Sequence, residues 1–402
     1  MDVVIIANAW DAARDNPTSK HQIAMELVRM GHRVLWLEGA GMRRPSFGSG
    51  ADRGRMVRKV RKALRGARSQ SVPGAAGERL WVAGPLLIPL PRYAVIRRIN
   101  GWLFRAAALR TARKLAFVSP VLINYVPVLA EAMLRWPTPS HGGVGCVYHR
   151  VDRWDQFDMY HGGLMRAMDA RCHELADVVI TSSRDLFEHS ASVHERVTLV
   201  NHGVDHARFA AALTPVKRPA DLPGGAVVGF FGLLSEWVDQ ELLVRLADAL
   251  REVQIVLIGR PDVPIDRLKA VDNIHVLGPR PFAALPCYVG HFAVGIIPFK
   301  VSRLTRAVNP IKLREMLAAG CPVVSTELPE VEAYATNAPG ERERPGVVIA
   351  RDYESFVSHV RDYVQQPLAP EARRRLSDGM LSETWRAKTE EILAVIRGER
   401  DA

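Results

Sequence analysis

Long apolar runs, paired cysteines and glycine-rich nucleotide motifs are all missing from this sequence of 402 residues. No stretch reaches the roughly 18–20 uninterrupted apolar residues of a membrane-spanning helix. The first residues lead directly into an apolar strand, without the cationic start of a signal peptide. The cysteines stand singly, with no Cys-x-x-Cys spacing, at Cys146, Cys172, Cys287 and Cys321. They predict reduced core thiols of a cytosolic protein and argue against a disulfide framework or a cysteine metal site.

Acidic residues are scarce in two stretches, although the net charge of the whole chain is only 54 − 43 = +11. Between Arg43 and Arg68 there are ten Lys/Arg and one acid, and between Arg92 and Lys114 there are seven Lys/Arg and no acid. Such clusters suit an anionic membrane, a phosphorylated substrate or nucleic acid. Neither Gly-x-Gly-x-x-Gly nor Gly-x-x-x-x-Gly-Lys occurs, which argues against dinucleotide binding and a P-loop.

The length and the alternation of apolar strands with helices predict two α/β domains. A chain of 402 residues suits two domains of about 150–200 residues each. Strands at 3–7 and 34–37 flank a helix from Ser19 to Met30, a βαβ unit that predicts a parallel sheet. We expect domains at 1–205 and 226–369 and a C-terminal helix in 370–402 that packs back on the first domain. Residues 39–78 are rich in Gly, Arg and Ser and are expected to form an insertion or loop.

The stretch from Asn309 to Thr326 carries the most specific pattern. Asn309 suits a helix N-cap, Pro310 the first helical position and Gly320 the residue after the helix. The free N–H groups of the first helical turn form a site for an anion.

Polar side chains on one face of this predicted helix add to the anion site. Lys312, Glu315 and Ala319 fall together, separate from an apolar stripe that includes Leu313 and Met316. A cation near the start, a carboxylate one turn later and a small residue beyond match the order of groups in a nucleoside diphosphate-sugar. The alternative is a solvated Lys–Glu pair, which is common on helix surfaces.

This stretch resembles the donor-site helix of GT-B glycosyltransferases, in particular the family 4-like bacterial enzymes of cell-envelope polysaccharide synthesis. Their pattern is close to Asn/Ser-Pro-x-Lys-x-x-Glu-x-x-Ala-x-Gly-x-Pro-Val-Val, and every one of those positions matches here. The resemblance implies a GT-B fold, with two Rossmann-like domains that face each other across a cleft. It also implies transfer of a sugar, with retention, from a nucleoside diphosphate-sugar to a glycan or lipid-linked acceptor. No Asp-x-Asp motif is present, and we expect neither a metal ion nor another cofactor.

The donor site that the resemblance implies departs from the family in two places. Gly232 and Leu233 follow an apolar strand where the family often places Arg and Lys just afterwards, so the cation must come from Lys312 or Lys300. Many retaining members carry a second Glu eight residues before the one that matches Glu315, and this sequence has Ala307 there. We expect Gly232, Leu233, Lys300, Asn309, Pro310, Lys312 and Glu315 to bind the donor.

Two stretches of the first half are candidates for the transfer step and the acceptor. The stretch from Tyr148 to Trp154 resembles the family segment that presents a polar residue to the transferred sugar, so we assign catalytic roles to His149 and Asp152. A structural histidine at a strand end is the alternative. The loop from Asn8 to Lys20 and the nearby aromatic residues predict acceptor contacts for Trp10, Asn16, Lys20 and Trp154.

The segment from Arg55 to Arg68 separates apolar and basic residues at helical period, which predicts an interfacial helix on an anionic membrane. We therefore expect a cytoplasmic protein at the inner face of the plasma membrane, with no specific nucleic-acid partner. Two other functions remain open from the residues: a nucleotide-sugar 2-epimerase on the same fold, and a non-catalytic basic module that binds glycan or nucleic acid. The sequence leaves the donor base, the sugar, the acceptor and the oligomeric state open.

Overall fold

The computed structural model describes residues 1–10, 16–39, 66–88, 93–137, 143–156, 162–214, 217–335 and 346–399. The chain divides into two compact units. The first unit comprises Met1–Asn201 together with Lys388–Ala402, and the second comprises His202–Ala387. No helix among the described residues is long and apolar enough to cross a membrane.

The first unit is built on a sheet of eight strands within the described residues, in the order β3-β4-β2-β1-β5-β6-β7-β8. All neighbouring strands pair in parallel except β3 and β4, which pair antiparallel. Val3 to Ala7 of the central strand are fully buried, as expected for a sheet that is covered on both faces. The strands are β1 (Asp2–Ala7), β2 (Arg33–Glu38), β3 (Arg68–Gln70), β4 (Leu80–Ala83), β5 (Val121–Asn124), β6 (Cys146–Arg150), β7 (Val178–Thr181) and β8 (Val197–Leu199).

The helices of the first unit cover this sheet and connect its parallel strands. Short 3₁₀ helices at Pro127–Ala132 and Trp154–Gln156 follow β5 and β6. The described α-helices that lie wholly before residue 201 are α1 (Ser19–Arg29), α2 (Ala94–Lys114), α3 (Gly162–Leu175) and α4 (Arg184–Ala191).

The second unit has a sheet of six described strands, all parallel, in the order β11-β10-β9-β12-β13-β14. Its strands are β9 (Val227–Phe231), β10 (Gln254–Ile258), β11 (Ile274–Val276), β12 (Phe292–Ile297), β13 (Val323–Thr326) and β14 (Val347–Ala350). Its helices are α5 (His206–Ala210), α6 (Gln240–Ala249), α7 (Asp266–Lys269), α8 (Leu285–Val289), α9 (Arg303–Arg306), α10 (Ile311–Ala318), α11 (Pro329–Glu332), α12 (Tyr353–Gln365) and α13 (Pro370–Asp378). The last helix, α14 (Trp385–Arg397), begins in the second unit and continues into the first.

The prediction of one C-terminal helix that packs on the first domain from residue 370 is wrong in its boundary. Helix α13 belongs to the second unit, where Ser377 Oγ donates to the carbonyl of Ala318 at 2.6 Å and Arg373 Nε donates to that of Gly320 at 3.0 Å. The chain joins the first unit only from Lys388. The predicted domains end at residue 205 and begin at residue 226, whereas the structure divides the chain between Asn201 and His202.

The predicted loop at 39–78 also differs where it is described. Arg68–Gln70 pairs with β4 as an edge strand, which the sequence did not indicate because the segment is short and polar. The predicted interfacial helix therefore cannot continue to Arg68, and Gly66, with φ of +70°, precedes the strand. Residues 55–65 of that prediction lie outside the described residues.

Candidate functional site

Two groups of buried polar side chains lie beside strands where the order of each sheet reverses. In the second unit, β9 and β12 are neighbours at that point, and in the first unit β1 and β5 are neighbours. Ligands of open parallel sheets bind beyond the carboxyl ends of strands at such a point.

In the second unit, Lys312 and Glu315 of α10 form what we call the second-unit pair. Gly232, the first residue after β9, has no side chain, and Lys312 occupies the space beside its Cα. A Cβ at Gly232 would be 2.9 Å from Lys312 Cε and 3.2 Å from Lys312 Nζ. Gly232 has φ of +136°, which favours glycine. The structure therefore places Lys312 against the backbone of Gly232, and donor binding by these two residues stays a prediction.

Aromatic rings surround the Lys312 ammonium. Its Nζ lies 5.1 Å from the ring centroid of Phe230 and 4.7 Å from that of Phe299, which suits cation–π attraction. It makes no hydrogen bond or ion pair with any residue that the structure describes. Burial lowers the pKa of Lys312 to about 8, although the charge of Glu315 acts to raise it.

Glu315 is buried one helical turn further along α10, with 7% of its surface exposed. Burial raises the pKa of its carboxyl to about 8; Lys312 opposes this shift and Asp205 adds to it. Burial thus disfavours the charged forms of both groups in the unliganded protein. An ammonium group beside the N-terminus of a helix suits a bound diphosphate.

The start of α10 differs by one residue from the prediction. Pro310, and not Asn309, is the N-cap, and the helix begins at Ile311. The Asn309 side chain is turned toward Arg314, whose Nη1 donates to Asn309 Oδ1 at 2.6 Å. Arg314 is fully buried, and its Nε also donates to Glu383 at 3.3 Å. The predicted N-cap is wrong because the guanidinium binds the amide oxygen that would have capped the helix.

The other predicted donor residues, Leu233 and Lys300, are adjacent in sequence to residues that contact Lys312. Leu233 is half-buried beside Gly232, and Lys300 is exposed directly after Phe299. Ala307, where many relatives carry a second glutamate, is buried at the end of α9. Gly320 has φ of +67° and follows α10 as predicted, and Leu313, Met316 and Leu317 form the buried stripe.

In the first unit, the residues Lys20, Tyr125, His149, Asp152 and Trp154 form what we call the first-unit cluster. Lys20 lies in the first turn of α1, after β1, and its Nζ is 5.8 Å from the ring centroid of Tyr125 and 5.1 Å from that of Trp154. Tyr125 directly follows β5, and its ring centroid is 4.7 Å from that of His149 on β6. The structure thus assembles four of the predicted site residues.

His149 shares one hydrogen bond with Tyr125, and its other ring nitrogen has none within the described part of the chain. Tyr125 Oη and His149 Nδ1 are 2.9 Å apart. In the tautomer whose Nδ1 accepts from the hydroxyl, the imidazole proton is on Nε2. Nε2 is buried and has no hydrogen-bond partner among the described residues. An N–H group without a partner is what a ligand oxygen requires.

The charges in the first-unit cluster are poorly compensated. Burial lowers the pKa of His149 to about 3, and the charge of Lys20 lowers it further. Burial also lowers the pKa of Lys20, opposed by Asp152, and raises the pKa of Asp152 to about 6, opposed by Lys20. Lys20 is only 5% exposed, yet no ion pair holds it among the residues described. A buried cation of this kind is costly for the fold and favours a bound partner.

Trp10 and Asn16 are the remaining predicted acceptor residues, and neither is part of the first-unit cluster. Trp10 packs against the rings of Trp36 and His21, with centroids at 4.9 and 5.3 Å, and borders a cavity of about 30 Å³. Asn16 is exposed, next to residues 11–15, which lie outside the described residues.

Tyr125, Phe230 and Phe299 were missed at the sequence level. Each lies at or just beyond the carboxyl end of a strand beside the reversal of strand order, which is the signal that could have identified them. No cluster of three or more His, Cys, Asp or Glu that could bind a metal ion occurs in the described ranges.

Part of the second half of the chain is similar to a known family. Residues 225–366 match the family described as "Glycosyl transferases group 1". Over 218 residues the chain is 30% identical to TuaH of Bacillus subtilis (strain 168), a candidate teichuronic acid biosynthesis glycosyltransferase. That match spans 52% of this chain and 52% of the relative, so the chain spans about half the length of this curated relative.

Solved structures match along nearly the whole chain. Sucrose-phosphate synthase from Thermosynechococcus elongatus has a TM-score of 0.62 at 14% identity and covers 99% of this chain and 96% of its own. Anabaena Alr3699/HepE, solved in complex with UDP and glucose, has a TM-score of 0.62 at 14% identity and covers 98% of both chains. At such low identity, the structural similarity shows the fold alone. It is the GT-B fold of glycosyltransferases, which confirms the predicted α/β class. Together with the family match, this similarity confirms the resemblance to GT-B glycosyltransferases, a class of enzymes.

Proposed function

Because residues 225–366 form a domain of the glycosyl transferases group 1 family, we propose that this protein is a glycosyltransferase of cell-envelope polysaccharide synthesis. It moves a sugar from a nucleoside diphosphate-sugar to a glycan or lipid-linked acceptor. The observation that carries the proposal is the Lys312 ammonium, which lies over Gly232 at the start of α10 with Glu315 one turn away. The name of the Bacillus subtilis relative supports the cell-envelope pathway.

The second-unit pair binds the donor in this proposal. Lys312 and the free N–H groups of the first turn of α10 hold the diphosphate, so no metal ion is required there. Glu315 accepts hydrogen bonds from the ribose hydroxyls, which replace the water that burial removes from its carboxyl. Alr3699/HepE was solved with UDP and glucose, which supports a uridine nucleotide as the donor base here.

The first-unit cluster acts on the sugar and the acceptor. His149 donates its Nε2 proton to a hydroxyl oxygen, and its neutral state at pH 7 follows from the pKa near 3. Asp152, with a pKa of about 6, is ionised at pH 7. Its carboxylate orients the His149 imidazole or accepts a hydrogen bond from an acceptor hydroxyl. Lys20 binds an oxygen-rich group of the acceptor, and Trp154 offers a ring face for a sugar. Retention of anomeric configuration is part of this proposal.

Binding at the cytoplasmic face of the plasma membrane also belongs to the proposal, since a lipid-linked acceptor is confined to that surface. The basic stretches of the chain favour an anionic surface over a neutral one. We expect no specific nucleic-acid partner.

The donor is identified by thermal unfolding in a panel of nucleoside diphosphate-sugars. A ligand at 100 times its Kd stabilises the fold by about 2.7 kcal/mol, roughly 5–10 °C for a unit of this size. Glu315→Gln should lower affinity for the stabilising donor about 10–150-fold, because hydrogen bonds donated by the ribose hydroxyls favour the ionised carboxylate, and a neutral amide cannot accept such charge-assisted bonds. Glu252→Gln, at an exposed glutamate of the same unit, is the matched control and should bind as the wild type does.

The outcomes separate the proposal from its rivals. Wild-type donor affinity in Glu315→Gln would return Glu315 to a structural role. Conversion of the donor to its 2-epimer in the absence of acceptor would identify an epimerase. Polyanion binding without any turnover of a nucleotide-sugar would identify a binding module.

A further inference from the structure

Helix α2 of the first unit presents apolar side chains to solvent. Val95, Ile99 and Trp102 are 66%, 41% and 60% exposed. Their spacing of four and three residues puts them on one face of the helix. The opposite face is buried through Phe104 and Ala108. The exposed residues therefore belong to a second apolar stripe that the fold of this unit does not use.

The inner face of α2 is closely packed, so the outer stripe is held in place. Gly101 lies so close to the 3₁₀ helix at Pro127–Ala132 that a Cβ would be 2.4 Å from the Glu131 Cβ. The preceding segment is also fixed, because the Asn100 side chain accepts from the Ile88 N–H at 2.9 Å and donates to its carbonyl at 2.8 Å. Leu86 and Ile88 of that segment are exposed as well.

The charge of α2 is entirely basic. The helix has no acidic residue and has basic residues at Arg97, Arg98, Arg105, Arg110, Arg113 and Lys114. At 100° per residue, Arg98 and Arg110 point about 60° to either side of Val95; Arg98 lies beside the apolar stripe and Arg110 about two turns beyond Trp102. An apolar stripe with arginines at its side and beyond its end is typical of a helix at a lipid–water interface.

We propose that this surface, the α2 face of Val95, Ile99 and Trp102 with Arg98 and Arg110, docks on the headgroup region of an anionic lipid bilayer. The inference deepens the proposed function, on which it rests for its purpose, by naming the surface that meets the membrane of a lipid-linked acceptor. Trp102 enters the interface with its indole, whose apolar body and N–H group suit that depth. The arginines pair with lipid phosphates.

Other occupants fit this surface less well. A second copy of the chain would bring arginines against arginines, with no carboxylate on the helix to compensate them. Nucleic acid would use the arginines and leave the exposed Trp102 and Val95 without apolar partners. An anionic bilayer satisfies the charge and the apolar stripe together.

The test is cosedimentation of the full chain with phosphatidylglycerol vesicles and with phosphatidylcholine vesicles. We expect binding to the anionic vesicles at 0.1 M salt and much weaker binding at 1 M, where the Debye length falls from about 10 to about 3 Å. Trp102→Ser should weaken binding about tenfold. Arg98→Gln with Arg110→Gln should weaken it about 25-fold, from about fivefold for each arginine.

Matched controls are exposed residues away from the α2 face. Val193→Ser, in the first unit, and Arg251→Gln, in the second, should bind as the wild type does. Unchanged binding in both α2 variants, or equal wild-type binding to both vesicle types, would overturn the proposal. So would a wild-type dimer that Trp102→Ser converts to monomers, because a second copy would then cover the face. Donor affinity is measured separately in every variant, so failure of the proposed donor chemistry would not be mistaken for failure of membrane docking.

Discussion

The second-unit pair and the first-unit cluster place a buried lysine near a carboxyl group in similar electrostatic settings. In both, burial lowers the pKa of the lysine and raises that of the carboxyl. They differ in how the chain assembles them. Lys312 and Glu315 lie three residues apart on one helix, whereas Lys20, Tyr125 and His149 follow or lie on three separate strands. A site carried by one helix can be recognised from a motif, and a site carried by a sheet edge needs the order of the strands.

The largest expected effect separates the two groups by function. Lys312→Ala should lower donor affinity about 10–150-fold, since it removes a charged hydrogen bond to the diphosphate. His149→Ala should leave donor affinity nearly unchanged and lower turnover about 100-fold, as the loss of one positioned donor does. Calorimetric titration measures the affinity, and nucleotide release measures the turnover.

Two further variants control this comparison. Lys300→Ala, at an exposed lysine of the same unit, should retain donor affinity. Tyr125→Phe removes the hydroxyl that is hydrogen-bonded to His149 Nδ1 and should lower turnover without affecting affinity. If Lys312→Ala and His149→Ala lose only stability, both groups are structural.

A smaller effect should appear in the pH dependence of stability without ligand. The folded-state pKa of Glu315 is raised from 4.5 to about 8, so the stability that this residue contributes is greatest below pH 4.5 and is lost as the pH rises toward 8. For Asp152 the pKa is raised from 3.8 to about 6, and the corresponding loss is complete soon above pH 6. Relative to wild type, Glu315→Gln should therefore gain melting temperature up to pH 8, and Asp152→Asn only up to about pH 6.

Differential scanning calorimetry of both variants and the wild type from pH 4 to pH 9 measures these two windows. Identical windows for the two variants would show that the carboxyl groups are equally buried. No gain in either variant would show that both carboxyl groups are already stabilised as anions.

The smallest effect concerns the cost of the buried cation in the first unit. Lys20→Met replaces an ammonium with an apolar group of similar size and should raise the free energy of unfolding by roughly 1 kcal/mol. Lys114→Met, at an exposed lysine on α2, should change it by less than about 0.5 kcal/mol. Denaturant unfolding checks both. A clear loss of stability in Lys20→Met would mean that Lys20 serves the fold and not an acceptor.

The sequence predicted the α/β class, most strands and the α10 motif because each of these depends on local spacing. The alternating apolar strands and the order Lys312, Glu315, Gly320 are visible within short windows. The sequence missed the N-cap at Pro310 because the partner of Asn309 is the Arg314 guanidinium, which is set by packing. It missed Tyr125 because only the pairing of β5 between β1 and β6 brings that ring to His149. It gave no sign of β3, a three-residue edge strand defined by its partner.

The division of the chain into units has a consequence for the order of events during translation. The second unit is one uninterrupted segment, His202–Ala387, whereas the first also needs Lys388–Ala402 from the far end of the chain. At about 5–20 residues per second, those last residues leave the ribosome roughly 10–40 s after Asn201 does. The unit that is synthesised first is therefore the last to be completed. A nascent chain that stops before Lys388 would carry a finished second unit beside a first unit that still lacks its closing helix.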